Sequence, residues 1–157
     1  MFPVSFPMAT MRYAGEVPAS EWGEPLQSEI PIEMETKFDA EGRYVCRVVG
    51  DSCYPALIPG DLTVWQRDKN PAYGVIVIAE QRNGSACTVK RLAYDADAGR
   101  SRLEPINPRY DSPSDGDGWD VIARLVGVVR NSDGPERTWY WAPGLRPRHL
   151  TTDYQGD

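Results

Sequence analysis

Histidine and cysteine are scarce in this 157-residue chain, which has one histidine, His149, and three cysteines, Cys46, Cys53 and Cys87. Three thiols do not make a disulfide scaffold, and with a single imidazole they form no zinc cluster in any usual spacing. No Gly-rich phosphate loop or EF-hand loop is present either, so no metal or cofactor is expected. Cations are also in deficit: 17 lysines and arginines face 23 aspartates and glutamates, a net charge of −6. That balance argues against a module built to grip a phosphate backbone. There is no apolar run of the roughly 18 residues a bilayer span needs. The start, Met1 to Ala14, lacks the charged-then-apolar pattern of a secretory signal. A cytoplasmic protein without a membrane partner is expected.

Turn formers, by contrast, are abundant: 14 glycines and 14 prolines among 41% hydrophobic and 25% charged residues. This composition reads as one folded domain, and it favours short strands with frequent turns over helices. Residues 1–40 are irregular, with Pro3, Pro7, Pro18, Pro25 and Pro31 and glutamates at no helical period. They are expected to form an extended N-terminal arm with one or two short strands. The core is expected over 41–130 and a C-terminal extension over 131–157.

Within the core, Arg43–Val49 is rich in β-branched and aromatic residues and stops at Gly50-Asp51. Leu62–Trp65 follows the Pro59-Gly60-Asp61 turn. Gly74–Ala79 is nearly continuously apolar, as in a strand covered on both faces. Asn83-Gly84 predicts a hairpin to Ala86–Leu92. Arg102–Ile106 predicts a short strand and residues 107–118 a long polar loop. Trp119–Val129 predicts a closing strand with a bend or bulge at Gly127. In the extension, Trp139-Tyr140-Trp141 predicts an edge strand or an aromatic patch on the body. Together these segments predict a mostly-β, barrel-like fold.

A Ser-His-Asp triad is poorly served, because the one histidine lies in the tail. Ser52 and Lys90 form a different pair. Ser52 sits at the tight turn that ends a strand, and Lys90 lies inside the mainly apolar strand Cys87–Leu92. A buried ammonium pays a large desolvation cost, which deprotonation relieves. Moving a lysine from about 10.4 to about 7 or 8 takes on the order of 3 to 5 kcal/mol, within the range recorded for buried lysines. The neutral amine is then a general base for a serine hydroxyl. Pattern alone leaves the plainer readings open. Ser52 also reads as a turn residue, and Lys90 as an outward-facing residue sharing a face with Thr88. Cys46, Cys53 and Cys87 read as small packing residues.

The blocks Gly50-Asp51-Ser52-Cys53-Tyr54-Pro55, with Pro59-Gly60-Asp61-Leu62 after it, and Thr88-Val89-Lys90-Arg91-Leu92 resemble the C-terminal domain of the LexA-type self-cleaving repressors. That group includes phage repressors and an accessory subunit of an error-prone DNA polymerase. The step from Ser52 to Lys90 resembles the family spacing, and Leu103-Glu104-Pro105-Ile106-Asn107-Pro108 with Tyr110 resembles its Leu-x-Pro-x-Asn segment. The resemblance runs from about Gly15 to Arg130. It implies a strongly bent, signal-peptidase-like β fold and a Ser52–Lys90 dyad, with Gly50, Asp51 and Cys53 shaping the turn and supporting an oxyanion. Cys53 stands where the family has methionine.

The same resemblance implies that the chain cuts its own arm. Gly15-Glu16-Val17-Pro18-Ala19-Ser20 resembles the family's cleavage segment and puts the bond at Ala19–Ser20, with Ala14–Gly15 as the alternative. Ser20 in place of glycine and the stiff Pro18 imply slow or conditional cleavage. A homodimer, a RecA-filament trigger and a place in a stress- or phage-type transcriptional switch are likewise implied. The family's DNA-binding domain is not among these residues, so direct DNA binding by this chain alone is not expected. Two other readings compete: a non-catalytic dimerisation module or polymerase-accessory-like protein that keeps the fold, and a signal-peptidase-like enzyme acting in trans.

Overall fold

A computed structural model describes residues 8–20, 22–36, 38, 40–111, 118–132 and 137–142. Within the segments expected from sequence, 112–117 of the polar loop, His149 and the tail beyond 142 lie outside the described residues. The described residues form nine strands and no helix: β1 (Met8–Pro18), β2 (Ile30–Glu35), β3 (Arg43–Val49), β4 (Leu62–Arg67), β5 (Ile76–Gln81), β6 (Cys87–Asp95), β7 (Arg100–Glu104), β8 (Trp119–Arg130) and β9 (Thr138–Trp141). They make one sheet in the order β2-β1-β3-β4-β8-β5-β6-β7, with β9 added to β8. The sheet is strongly bent and does not close. No described helix is long and apolar enough to cross a membrane.

The bend comes from β8, which serves two halves of the sheet. Its first half pairs with β5 and its second with β4, and the register slips in each ladder. The slip past Val126 lies beside Gly127, where the expected bend falls. Bulges of this kind coil a sheet without ending it. Because the sheet folds over itself, several strands are buried on both faces. Alternate residues of β3 enter separate cores, Tyr44, Cys46 and Val48 in one and Val45 in another. β5 does the same with Ile76 and Ile78 against Val77 and Ala79.

The arm joins the body more closely than its sequence pattern indicates. β1 lies between β2 and β3, antiparallel to the first and parallel to the second. Its pairing with β3 shifts between Tyr13 and Glu16, which breaks the alternation a reader of the sequence would look for. Met11, Ala14 and Val17 are buried all the same. Other boundaries move by a few residues. Gly74 and Val75 belong to a turn, so β5 starts at Ile76, and β7 ends before Pro105, which has no N–H to give a ladder. The aromatic trio of the extension forms β9. Trp139 and Trp141 pack into the core that holds Met11, Val45 and Phe38, with the Phe38 and Trp141 rings edge to face at 5.0 Å.

Candidate active site

Ser52 follows β3 at a turn that begins with Gly50, whose φ is +94°. The turn closes through the amide of Tyr54, which donates to the Asp51 carbonyl at 3.0 Å, and that of Leu57, which donates to the Cys53 carbonyl at 3.0 Å. Its far end is tied down by Asp61, which accepts from the Ile58 amide at 2.9 Å and from two nitrogens of Arg130 at 3.0 and 2.8 Å.

Lys90 reaches the same place from β6. It is 1% exposed and Ser52 is fully buried, and Nζ lies 3.1 Å from Ser52 Oγ. The amine also contacts the Thr88 hydroxyl at 2.8 Å, the Val89 carbonyl at 3.1 Å and the Ser20 carbonyl. None of these four partners is charged. The outward-facing reading of Lys90 is therefore overturned. Thr88 and Lys90 do share a face, but the arm covers it: Thr88 donates its hydroxyl to the Ser20 carbonyl at 2.7 Å.

The arm threads through the site on both sides of the Ala19–Ser20 bond. Upstream, β1 runs beside β3 as far as Pro18 and Val49, and the Ala19 amide donates to the Val49 carbonyl at 2.7 Å. The Ala19 carbonyl then accepts from the Ser52 amide at 2.9 Å. Downstream, Gly23 and Cys87 exchange two backbone hydrogen bonds, at 2.9 and 3.2 Å. The side chains of Val17 and Ala19 are wholly buried. Ala14 and Gly15, the other expected pair, lie five residues back along β1, on the order of 15 Å of strand from Ala19. There the Ala14 carbonyl accepts from the Gln27 amide at 3.2 Å. Away from this site, a cavity of about 570 Å³ is lined by Lys69, Tyr73, Arg82 and Trp119.

The family model for Peptidase S24-like proteins matches residues 12–126. The chain belongs to that family. A search of the curated proteins finds no match. The family is one of serine peptidases, and the match, from Arg12 in β1 to Val126 within β8, takes in both Ser52 and Lys90.

Three further groups complete the site. Gly50 sits under the arm, and a Cβ built there would lie 2.4 Å from the Ala19 carbonyl oxygen. Cys53, beside the serine, packs inward with its thiol 3.5 Å from the Val89 carbonyl. Burial pushes this thiol up to about 11. Asn107, with Ile106 and Tyr110, grips the nucleophile turn from behind: Ile106 and Asn107 donate their amides to the Ser52 carbonyl at 3.0 and 2.9 Å. The family-like Leu-x-Pro-x-Asn segment marked these residues in the sequence, but nothing in its pattern gave them a task. Among the described residues, no group of three histidine, cysteine or acidic side chains is placed to hold a metal ion.

Proposed function

We propose that this chain is a self-cleaving serine endopeptidase in which Lys90 activates Ser52 against the Ala19–Ser20 bond of its own arm. The observation that carries the reading is the convergence of three groups. A buried amine lies 3.1 Å from a buried hydroxyl, and the amide of the same serine holds the carbonyl of one arm residue.

Lys90 acts as the neutral amine, the form that burial favours. Such an amine has one lone pair. The Ser20 and Val89 carbonyls have no proton to offer and Thr88 spends its own on the Ser20 carbonyl, so of the four contacts only the Ser52 hydroxyl can donate to that lone pair. Lys90 takes that proton as Oγ attacks the Ala19 carbonyl carbon. Charge develops on the carbonyl oxygen, where the Ser52 N–H meets it. Collapse breaks the Ala19–Ser20 bond, and Lys90 returns the proton to the Ser20 nitrogen. Water, deprotonated by the same lysine, then hydrolyses the Ala19 ester. The substrate is tethered and already strand-paired, so no binding energy from a separate partner is needed. In the role implied by the family resemblance, the cut serves a stress- or phage-type transcriptional switch in a cytoplasmic homodimer triggered by a RecA filament.

Incubation of the purified chain between pH 7 and 10, followed by intact mass, tests the reading. Two fragments are expected, forming faster as pH rises because the neutral amine is the active form. Ser52→Ala and Lys90→Ala each abolish them. Equal behaviour of wild type and both variants defeats the proposal and leaves the non-catalytic module. Cleavage that accelerates with protein concentration would replace self-cutting with action in trans.

A further inference from the structure

The Asp51–Ser52 peptide group is hydrogen-bonded on both of its edges. Its N–H is the one that reaches the Ala19 carbonyl at 2.9 Å. Its oxygen accepts from the side-chain Nδ2 of Asn107 at 3.0 Å and from the Tyr54 amide at 3.0 Å. A trans peptide is planar, so holding the oxygen fixes where the hydrogen points. The Tyr54 amide belongs to the same turn and moves with it. Asn107 comes from a loop 56 residues later in the chain and anchors the turn to the body.

Asn107 is itself held firmly. It is 7% exposed, its Oδ1 accepts from the Arg109 amide at 3.1 Å, and its carbonyl accepts from the Tyr110 amide at 3.2 Å. The Tyr110 hydroxyl donates to the Asp51 carboxylate, which adds to the ties that the Ile106 and Asn107 amides make to the Ser52 carbonyl.

We infer that Asn107 is a positioning residue for the oxyanion donor. It sets the aim and strength of the Ser52 N–H through the chain Asn107 Nδ2–H to Asp51 oxygen and Ser52 N–H to Ala19 oxygen. The inference rests on the peptidase reading above. An amide whose oxygen accepts a hydrogen bond becomes a better donor at nitrogen, by roughly 10–30% per bond. The gain is larger when the Ala19 oxygen carries the charge of the tetrahedral intermediate than in the resting chain. The effect therefore falls on the rate more than on arm docking.

Two substitutions separate this role from simple support of the loop. Asn107→Asp keeps the shape and the acceptor for the Arg109 amide but loses the donor, whereas Asn107→Ala loses both. The first-order self-cleavage rate is followed by intact mass from pH 7 to 10. Both variants are expected to lower the high-pH plateau by roughly 2–10-fold, well short of losing an oxyanion donor itself, and Asn107→Ala is expected to leave the pH midpoint in place. Restoration of the wild-type plateau by Asn107→Asp would overturn the inference, since only the loop bond is then required. A second reading does not depend on cleavage. In the uncut Ser52→Ala chain, the amide proton of residue 52 is expected to move upfield in either Asn107 variant, while amides of β4 and β5 stay in place. An unmoved signal defeats the inference even if the chain cuts itself. A moved signal in a protein whose wild type never cuts supports the relay and defeats the peptidase reading alone.

Discussion

The carbonyl oxygen of Ala19 rests 2.9 Å from the amide nitrogen of Ser52. This contact joins the arm to the Ser52 turn, and in the proposed reaction it sets the Ala19 carbonyl beside Ser52. Its neighbours hold the arm in register, Val49 before the bond and the Gly23–Cys87 exchange after it. If the chain cuts itself as proposed, an arm so held needs no separate docking step before the chemistry.

Gly50→Ala is expected to break this arrangement. The added methyl would sit 2.4 Å from the Ala19 oxygen, and φ there is +94°. Gly60 provides the control, with φ at +95° and open space around it. Gly60→Ala is expected to lose about 1 kcal/mol in urea unfolding and to cut at the normal rate, since it pays only the backbone strain. Gly50→Ala is expected to lose about 2–3 kcal/mol and to cut at least roughly tenfold more slowly, because the arm must leave the cleft.

Much of this core was readable before any coordinates. β3, β5, β6 and β8 announce themselves by β-branched runs, and Asn83-Gly84 by its turn chemistry. Lys90 was harder. Alternation assigns it a face with Thr88, but what covers that face comes from Ser20, 70 residues earlier. Periodicity reports local geometry, and burial here is a long-range event. β1 was obscured by its register shift at Gly15 and by parallel pairing with β3. The segment around Asn107 is marked by the family resemblance, but its task is not, because its partner is a peptide group with no sequence signature.

The cysteines give a prediction with a definite sign. Burial pushes the thiols of Cys53 and Cys87 from 9.0 up to about 11 and about 12, and Cys46 higher still. A raised folded-state value means the folded chain keeps protons that the unfolded chain gives up. Their contribution is complete below pH 9 and is lost as pH climbs towards 11 and 12. Stability is expected to fall by roughly 1 kcal/mol per pH unit for each thiol across that window. Urea midpoints at pH 8 and 10 measure it. The same burial predicts that a thiol reagent at pH 8 finds no reactive cysteine in the native protein and three in urea.

Arg130 and Asp61 are expected to matter more than their surface counterparts. Asp61 is 3% exposed and takes two bonds from Arg130, which also lies over the Tyr140 ring. Removing one partner strands a buried carboxylate, so Arg130→Ala is expected to cost about 2–3 kcal/mol. Arg102, half exposed in its pair with Glu104, is expected to cost much less on the same change, because solvent screens that pair. Chemical unfolding of the two variants side by side checks the difference. A loss of equal size would mean that the loop from Ser52 to Asp61 is held by something other than this ion pair.

The bond itself is open to test at its two residues. Ala19 is fully buried among the apolar groups that include Val48, Cys53 and Leu57, so a larger side chain overfills the space. Ala19→Leu is expected to slow cutting by up to about 100-fold, the equivalent of about 1–3 kcal/mol of overpacking. At Ser20 the sign reverses. The family resemblance places glycine at this position, so Ser20→Gly removes a side chain beside the bond and is expected to speed cutting by less than about tenfold. The mass of the larger fragment reads the position directly, because it begins at Ser20 if this bond is cut and at Gly15 if the alternative is. A start at Gly15, with Ala19→Leu cutting normally, would move the substrate five residues along β1 and require that strand to slide past β3 before the serine could reach it.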